Sequence, residues 1–252
     1  MNEAILTTHN LCKRFGAVPA CSHLSLTLTP GELHALIGPN GAGKTTVLNL
    51  LSGFITPDSG SIFLAGRDIS AIPVHGRAAL GLARSFQLIS LFDRLSVEEN
   101  LAIAVQARSG TSFRFLGDAA ADRRLREPAR RVMARMGLKG CGRVITGSLS
   151  HGQRRQLEVA MALAIKPRVL LLDEPMAGLG AGGSQRLQEL ISTLKGRLSI
   201  LLIEHDMTAV FSLADRITVL VRGEAIAAGT PDEIRRNPEV QRVYLGEEAA
   251  AC

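Results

Sequence analysis

A chain of 252 residues, 46% of them hydrophobic, can bury a substantial core as one large or two small domains. It has no uncharged apolar run near the ~18 residues needed to span a membrane, and its N-terminus lacks the basic and apolar regions of a signal peptide. These features predict a cytoplasmic protein rather than a secreted or membrane-spanning one. The four cysteines show no CxxC spacing, which favours reduced thiols over disulfides or a zinc site.

The net charge of +6 and the pI near 9.6 suit two anionic partners, nucleic acid or the cytoplasmic surface of a membrane. Much of this charge falls in one segment, on Arg123, Arg124, Arg126, Arg130, Arg131 and Arg135. The segment has no interleaved aromatic residues and no base-reading pattern. A solvated helix face is therefore favoured over a nucleic-acid site.

The N-terminal segment, residues 3–29, is predicted to form strands. Apolar and polar residues alternate at the strand period from Leu24 to Leu28, before a turn at Pro30 and Gly31, which indicates one buried face. Between these strands lies a lone aromatic residue, Phe15. Taken by itself, Phe15 is more typical of a core residue than of a base-stacking platform.

The apolar run Leu33–Ile37 leads into a segment that fits the P-loop pattern G-x-x-x-x-G-K-[ST] and precedes a helical pattern over Val47–Leu51. Glycines let such a loop point backbone N–H groups at phosphate oxygens, and the helix N-terminus adds positive potential. In this pattern Lys44 reaches the β and γ phosphates and Thr45 binds Mg²⁺. The alternative is a glycine-rich turn followed by chance by a lysine, and the flanking strand and helix count against it. The predicted nucleotide-binding residues are Gly38, Pro39, Asn40, Gly41, Ala42, Gly43, Lys44, Thr45 and Thr46.

The middle third of the chain is predicted to be helical and basic, unlike the strand-rich segments on either side. Ser96 and Glu99 form a capping-box pattern that opens a helix through about Ala107. A second helix is predicted from near Glu127 to Met136, ended by Gly137. This change of character suggests an inserted helical subdomain.

The pentapeptide Leu149–Gln153 opens a further helix with an apolar face. A serine at a helix start is usually an N-cap, and Ser150 has this place in the pattern. The alternative is that Ser150 and the N–H groups of the helix N-terminus face a second anion.

An unbroken apolar strand that begins at Val169 ends in two carboxylates, Asp173 and Glu174. Strands buried on both faces belong to parallel α/β sheets, and ligands bind beyond their carboxyl ends. Both carboxylates are therefore predicted near the P-loop phosphates, where Asp173 assists Mg²⁺ and Glu174 orients or deprotonates an attacking water. A surface turn is the alternative for an Asp-Glu pair.

The next predicted strand, Leu198–Ile203, brings His205 to the same carboxyl edge, where it could contact a γ-phosphate. A lone histidine at a strand end is otherwise structural or solvent-facing. The chain then forms a predicted hairpin of Ile217–Val221 and Ala225–Ala228, followed by a short helical tail over residues 231–252.

Taken in order, these motifs resemble the ATP-binding subunit of an ATP-binding-cassette (ABC) transporter over essentially the full length of the chain. The resemblance identifies Gly38–Thr46 as Walker A, Val169–Glu174 as Walker B and His205 as the switch histidine. The signature segment, which contacts the nucleotide of a partner cassette, consists of Leu149, Ser150, His151, Gly152 and Gln153.

The resemblance also gives roles to residues whose patterns are weak alone. Phe15 falls where the family has its adenine-stacking aromatic residue. Gln87, which by itself resembles any surface glutamine, falls at the Q-loop, where it is implied to contact Mg²⁺ and the lytic water and to face the membrane partner. His205 is implied as the γ-phosphate sensor.

The fold class implied is α/β, a P-loop NTPase (RecA-like) core with an N-terminal antiparallel β subdomain and an inserted α-helical subdomain. We expect a single ABC ATPase domain over residues 1–252. Residues 1–86 and 166–230 form the β subdomain and core, residues 87–165 the helical subdomain, and residues 231–252 a C-terminal tail.

The implied cofactors are ATP and Mg²⁺. In the family two cassettes close head to tail around two ATP molecules, so the implied partners include a second ATP-binding subunit, identical or different. The others are permease subunits in the membrane and, indirectly, a periplasmic solute-binding protein, with no nucleic acid. The implied location is peripheral, at the cytoplasmic face of the inner membrane.

Four segments resemble more closely the LivG-like ATPases of branched-chain amino acid importers: Leu149–Gly152, Met176–Gly180, Ile203–Met207 and Tyr244–Glu247. Relatives with similar motifs move urea, short amides or aromatic acids, and a lipopolysaccharide-export cassette is another alternative. The Tyr244–Glu247 tail counts against export. Ribosome- or nucleic-acid-associated cassettes normally have two cassettes or a long coiled-coil insertion, and this chain has neither.

Two positions depart from the general family pattern. His151 replaces the central glycine of the signature, and Gly180 stands where most cassettes have the D-loop aspartate. Two glycines, Gly182 and Gly183, also lie at the expected start of the next helix. Ser184 is therefore predicted to be the cap of that helix.

Overall fold

A computed structural model of the protein describes residues 3–85, 91–108 and 123–243, and Gln87 and Tyr244–Glu247 lie outside these ranges. The strands are β1 (Leu6–Phe15), β2 (Val18–Leu24), β3 (Thr27–Leu28), β4 (Leu33–Ile37), β5 (Ser59–Leu64), β6 (Arg67–Asp68), β7 (Leu82–Ser85), β8 (Val169–Asp173), β9 (Ser199–Ile203), β10 (Arg216–Val221) and β11 (Glu224–Gly229). The helices are α1 (Lys44–Ser52), α2 (Val74–Ala79), α3 (Val97–Arg108), α4 (Arg123–Arg135), α5 (His151–Ala164), α6 (Ala181–Leu194), α7 (Met207–Leu213) and α8 (Pro231–Arg236).

The core sheet has the strand order β11-β10-β4-β9-β8-β7, and all its pairings are parallel except that of β10 with β11. Every residue of β4, β8 and β9 is buried. Along β8, Leu170 and Leu172 face one apolar cluster whereas Val169 and Leu171 face another. The sheet is therefore covered on both faces, which explains the unbroken apolar runs in its strands.

A second, antiparallel sheet has the order β2-β1-β5-β6, with β3 also paired to β1. Burial alternates from Leu24 to Leu28 as predicted, although β2 and β3 are separate strands. Side chains of this sheet and of α1, including Leu28 and Leu48, form the apolar cluster on one face of the core sheet. The predicted α/β class, with a P-loop core and an N-terminal antiparallel sheet, is confirmed.

The other face of the core sheet is covered by helices, and α3, α4 and α5 also pack against one another. The predicted capping box of α3 is present, because Ser96 N–H donates to Glu99 at 2.7 Å and Glu99 N–H donates to Ser96 Oγ at 3.3 Å. Helix α4 begins at Arg123, earlier than the predicted start near Glu127. Arg126 and Arg130 bond to Glu98 of α3, and this tertiary contact extends the helix.

A buried arginine fixes the C-terminal end of α1. Arg77 is 1% exposed and donates to the carbonyl oxygens of Leu50 and Leu51 at 2.5 and 2.8 Å, and to those of Ser70 and Ile72. Burial lowers the pKa of Arg77 because desolvation disfavours the charged form. A cation at a helix C-terminus nonetheless satisfies carbonyl groups that have no partner within the helix. Arg77 thus anchors α1 at the end away from the P-loop.

The start of α6 differs from the prediction that Ser184 is its cap. The helix begins at Ala181 and Gly180 is the N-cap, with extended backbone angles and no side-chain capping bond. Gly183 N–H and Ser184 N–H both donate to the carbonyl oxygen of Gly180, at 2.8 and 3.0 Å. The glycines adopt helical geometry because these bonds close the first turn before Ser184.

Replacing Gly182 by alanine should stabilise the protein. Gly182 is exposed in the first turn of α6, and the nearest atom to an added Cβ is Arg186 Nη2 at 3.7 Å. Because alanine restricts the unfolded chain, we expect a gain of about 0.5 kcal/mol, or ~1–2 °C in Tm. Gly183→Ala is the matched control, since its Cβ would lie 3.3 Å from Leu179 Cβ and should gain less. Thermal unfolding that ranks the two variants in the opposite order would contradict this expectation.

Candidate nucleotide-binding and catalytic site

The predicted site residues converge on one edge of the core sheet. The parallel register pairs Ile203 with Asp173 on one side and with Leu36 on the other, so β4, β9 and β8 end side by side. The P-loop follows β4, Glu174 follows β8 and His205 follows β9. The arrangement predicted from the strand ends is therefore the one observed.

Two glycines of the P-loop lie so close to the backbone of neighbouring segments that any side chain at these positions would clash. Gly38 has φ +151°, and a Cβ there would lie 2.1 Å from the carbonyl oxygen of Leu220. Gly43 has φ +102°, and a Cβ there would lie 2.2 Å from the carbonyl oxygen of Ala20. Helix α1 starts directly after Gly43 without a side-chain cap. Its first N–H groups are thus suited to binding an anion.

The P-loop lysine lies across its own loop. Lys44 is 6% exposed, and its Nζ donates to the carbonyl oxygens of Gly38 and Pro39, the latter at 2.9 Å. Thr45, the next residue, is exposed at the start of α1, which packs against β8. The Thr45 hydroxyl and the Asp173 carboxylate are oxygen ligands of the kind Mg²⁺ prefers, so the donor set fits this ion.

Asp173 is held by an arginine that the sequence analysis did not single out. Arg84 Nη2 donates to Asp173 Oδ2 at 2.8 Å, and the two side chains are 8% and 3% exposed. The second terminal nitrogen of the guanidinium, Nη1, donates to Asn49 Oδ1 at 2.6 Å and to Ser52 Oγ at 3.2 Å, both in α1. Arg84 therefore joins β7, β8 and the P-loop helix. The available signal was a charged residue within a short, otherwise buried strand.

Glu174 and His205 lie at the same sheet edge, as predicted, and their side chains are in direct contact. His205 Nε2 and Glu174 Oε1 are 2.5 Å apart, and the side chains are 47% and 25% exposed. Glu174 has φ +45°, and its N–H donates to the carbonyl oxygen of Ile203 at 2.9 Å. The turned backbone lifts Glu174 out of the buried strand. Both groups border an open cleft of about 480 Å³ that Leu179 and Gln185 also line.

Glu204, next to the histidine, is a second residue that the sequence analysis missed. It is 4% exposed and accepts hydrogen bonds from the N–H of Met176 at 2.8 Å and of His205 at 3.1 Å. Burial raises the pKa of Glu204, outweighing the hydrogen bonds that favour the carboxylate. This carboxyl group ties the loop after β9 to the loop after β8.

A third missed residue, Arg155, supports the turn after β8 from the side of α5. Its guanidinium donates to the carbonyl oxygens of Asp173 at 2.6 Å, Glu174 at 2.9 Å and Pro175 at 3.1 Å. Arg155 is buried, and it holds the backbone of Asp173, the predicted Mg²⁺ ligand, and of Glu174, the predicted catalytic carboxylate. In the sequence it is one of two adjacent arginines with no distinguishing pattern.

The predicted signature segment starts α5 with a reciprocal capping box. Gln153 N–H donates to Ser150 Oγ at 3.3 Å, and Ser150 N–H donates to Gln153 Oε1 at 3.0 Å. His151 packs against the loop after β8, with Cε1 3.2 Å from the place a Cβ would take on Gly178, whose φ is +72°. His151 of the predicted signature segment thus lies close to the loop that follows Glu174 in its own subunit.

Phe15 is 52% exposed at the end of β1, so the interpretation as a core residue is wrong. Lys13 Nζ lies 5.9 Å from the centre of its ring. The carbonyl oxygen of Ala20, on the neighbouring strand β2, approaches Gly43 of the P-loop. An exposed ring on a hairpin anchored beside the P-loop is what base stacking requires.

This loop and sheet edge define a P-loop NTPase. A family model described as "ABC transporter" matches residues 21–177, and one described as "Branched-chain amino acid ATP-binding cassette transporter" matches residues 226–250. The chain belongs to the ABC transporter family as one of its ATP-binding cassettes, which are ATPases that power transport.

Individual relatives agree with this assignment. The chain is 40% identical to the high-affinity branched-chain amino acid transport ATP-binding protein LivG of Escherichia coli K12, with 98% of this chain and 100% of that protein covered. It is 36% identical to the lipopolysaccharide export system ATP-binding protein LptB of the same organism, over 97% and 98% of the two chains. The ADP conformation of MJ1267, an ATP-binding cassette of an ABC transporter, matches with a TM-score of 0.85 and 25% identity over 97% of this chain and 99% of that one.

Among the described residues, no helix has the length and apolar character needed to cross a membrane. A cassette of this family works with separate permease subunits that cross the membrane.

Proposed function

We propose that this cassette energises the import of branched-chain or related amino acids by binding and hydrolysing ATP. The observation that supports ATP hydrolysis is the contact of Glu174 with His205. Their side chains are 2.5 Å apart at the sheet edge where the P-loop also begins. The solute class is supported by the match of residues 226–250 to the branched-chain amino acid cassette model. It is also supported by 40% identity to LivG over the full chain.

The P-loop residues Gly38–Thr46 bind the triphosphate in this proposal. Lys44 now donates to two carbonyl oxygens of its own loop, and it exchanges these for phosphate oxygens when ATP binds. Thr45 and Asp173, with Gln87, would hold Mg²⁺. The ion would stabilise the negative charge that develops on the phosphate oxygens during hydrolysis. Positioning and charge stabilisation therefore provide most of the catalysis.

Glu174 orients or deprotonates the attacking water, and His205 contacts the γ-phosphate. The two side chains bond to each other at the sheet edge, so the proposed base lies next to the proposed γ-phosphate contact. The raised pKa of Glu204 reflects a buried support rather than a second base, because both its oxygens accept backbone N–H groups.

A second cassette completes each site in the proposal. The signature residues Leu149–Gln153 contact the partner's ATP, and Phe15 stacks on the adenine of the subunit's own ATP. Residues 1–86 and 166–230 form the core and β subdomain, residues 87–165 the helical subdomain that meets the permeases, and residues 231–252 the tail. The complex lies at the cytoplasmic face of the inner membrane, and a periplasmic binding protein delivers the solute to it.

Export of lipopolysaccharide is the alternative that a specific observation favours, because the identity to LptB is 36% over nearly the whole chain. The match of the C-terminal segment to the branched-chain amino acid cassette model favours import. Urea, short amides and aromatic acids are further solutes within the importer group.

Uptake of labelled leucine by cells that lack this chain tests the proposal. We expect the unaltered protein to restore uptake and Lys44→Ala to fail, because the variant loses its contact with the phosphates. Lys139→Ala, which removes an exposed lysine outside the site, is the matched control and should restore uptake. Uptake that never depends on this chain would refute leucine as the solute, and urea, amides, aromatic acids and export should then be tested in turn.

A further inference from the structure

One buried arginine joins two parts of the nucleotide site, although no catalytic motif assigns it a role. Arg84 lies on β7, and its side chain is 8% exposed between two parts of the nucleotide site. One guanidinium nitrogen contacts Asp173 in β8 and the other contacts Asn49 and Ser52 in α1. The guanidinium therefore bridges the predicted Mg²⁺ carboxylate and the helix that begins with Lys44.

This bridge constrains two of the three predicted Mg²⁺ ligands, Thr45 and Asp173, relative to each other. Asp173 is at the end of β8, and Thr45 is in the first turn of the helix that also contains Asn49. Because Arg84 contacts Oδ2 at 2.8 Å, it limits the rotation of the buried Asp173 carboxylate and leaves Oδ1 for another partner. Mg²⁺ requires nearly ideal octahedral geometry, so small changes in ligand direction weaken its binding.

Lysine could not replace this arrangement. The planar guanidinium donates in two directions at once, whereas an ammonium group on a flexible stem is a single point charge. Both members of the Arg84–Asp173 pair are more than nine-tenths buried, so loss of the geometry would also leave Asp173 poorly paired in a low-dielectric environment.

We propose that Arg84 is a positioning residue for the binding of the Mg²⁺–nucleotide complex, acting through Asp173 and α1 rather than by touching the substrate. The inference rests on the proposed function, because it takes Asp173 and Thr45 as the Mg²⁺ ligands. Residues that hydrogen-bond to a metal ligand and orient it typically contribute a factor of about 10–100 in metal affinity.

The test compares affinity for a non-hydrolysable fluorescent ATP analogue in Mg²⁺ and in EDTA, on the purified full-length protein. For the unaltered protein the analogue should bind more tightly with Mg²⁺. In Arg84→Lys we expect this Mg²⁺-dependent gain to fall about tenfold while affinity in EDTA changes little, since the P-loop is intact. Asn49→Ala keeps the Arg84–Asp173 pair but removes the shorter of the two bonds from Arg84 to α1, and it should lower the gain in the same direction by a smaller factor.

Arg77→Lys is the matched control, because Arg77 is also buried and also bonded to α1 but has no contact with Asp173. It should reduce thermal stability and leave the Mg²⁺-dependent gain unchanged. If Arg84→Lys and Asn49→Ala both keep the full gain, Arg84 is only a structural residue and the inference is overturned. If the unaltered protein itself gains nothing from Mg²⁺, the Mg²⁺ assignment fails first, and the inference fails with it.

Discussion

Glu174→Gln should lower ATP hydrolysis by a factor of about 10²–10⁴ while ATP binding is retained. The amide has nearly the shape of the carboxylate and can still bond to His205, so the edge of the sheet keeps its geometry. It cannot accept a proton from water, which removes general-base assistance. Phosphate release from the complex reconstituted with its partner subunits measures the effect, because in the proposed function a second cassette completes each site.

The same variant should accumulate as an ATP-bound closed dimer, detectable by light scattering on a sizing column. Glu189→Gln is the matched control, since Glu189 is exposed on α6 and bonds only to Gln185 among the contacts described. It should hydrolyse ATP at the unaltered rate. Normal turnover by Glu174→Gln would remove Glu174 from the mechanism and leave its contact with His205 as a structural one.

Arg77→Met, which replaces a buried arginine with an apolar residue, should destabilise the protein by about 3 kcal/mol or more. The apolar side chain fills much of the volume but leaves buried carbonyl oxygens without their donor, each at a cost of roughly 1–3 kcal/mol before water enters. Two of those carbonyls, from Leu50 and Leu51, end the P-loop helix. The helix would lose its C-terminal anchor.

Urea unfolding followed by circular dichroism measures this loss as a shift of the midpoint. Arg67→Met, which alters an exposed arginine on β6, is the matched control and should change the free energy of unfolding by less than about 0.5 kcal/mol. A midpoint for Arg77→Met close to that of the control would show that water replaces the guanidinium at little cost, contrary to our expectation.

Much of the site could be predicted because its motifs are local. The P-loop glycines, the apolar strand before Asp173 and the histidine after β9 each form a pattern within a few residues. The rule that parallel strands end at one edge then brings these patterns together. The shared edge of Glu174 and His205 follows from that rule even though the two residues are distant in the sequence, whereas their direct contact is seen only in the structure.

The supporting residues could not be predicted in the same way. Arg84, Arg155 and Glu204 have no distinctive neighbours, and their importance comes only from partners on other elements. Helix α6 begins before the predicted cap Ser184 because its first turn closes on Gly180 despite the low helix propensity of glycine. Helix α4 begins before Glu127 because its first turns bond to Glu98, a tertiary contact that local sequence does not reveal.

The packing of His151 on Gly178 has a consequence for how two cassettes would take turns. In a head-to-tail pair, the signature of one subunit serves the nucleotide of the other, while Gly178 belongs to the loop that follows Glu174 in its own site. A shift of that loop during hydrolysis would press on the imidazole and move the segment that grips the opposite nucleotide. Each site would then be coupled to the site of its neighbour, so the two ATP molecules would not be hydrolysed independently.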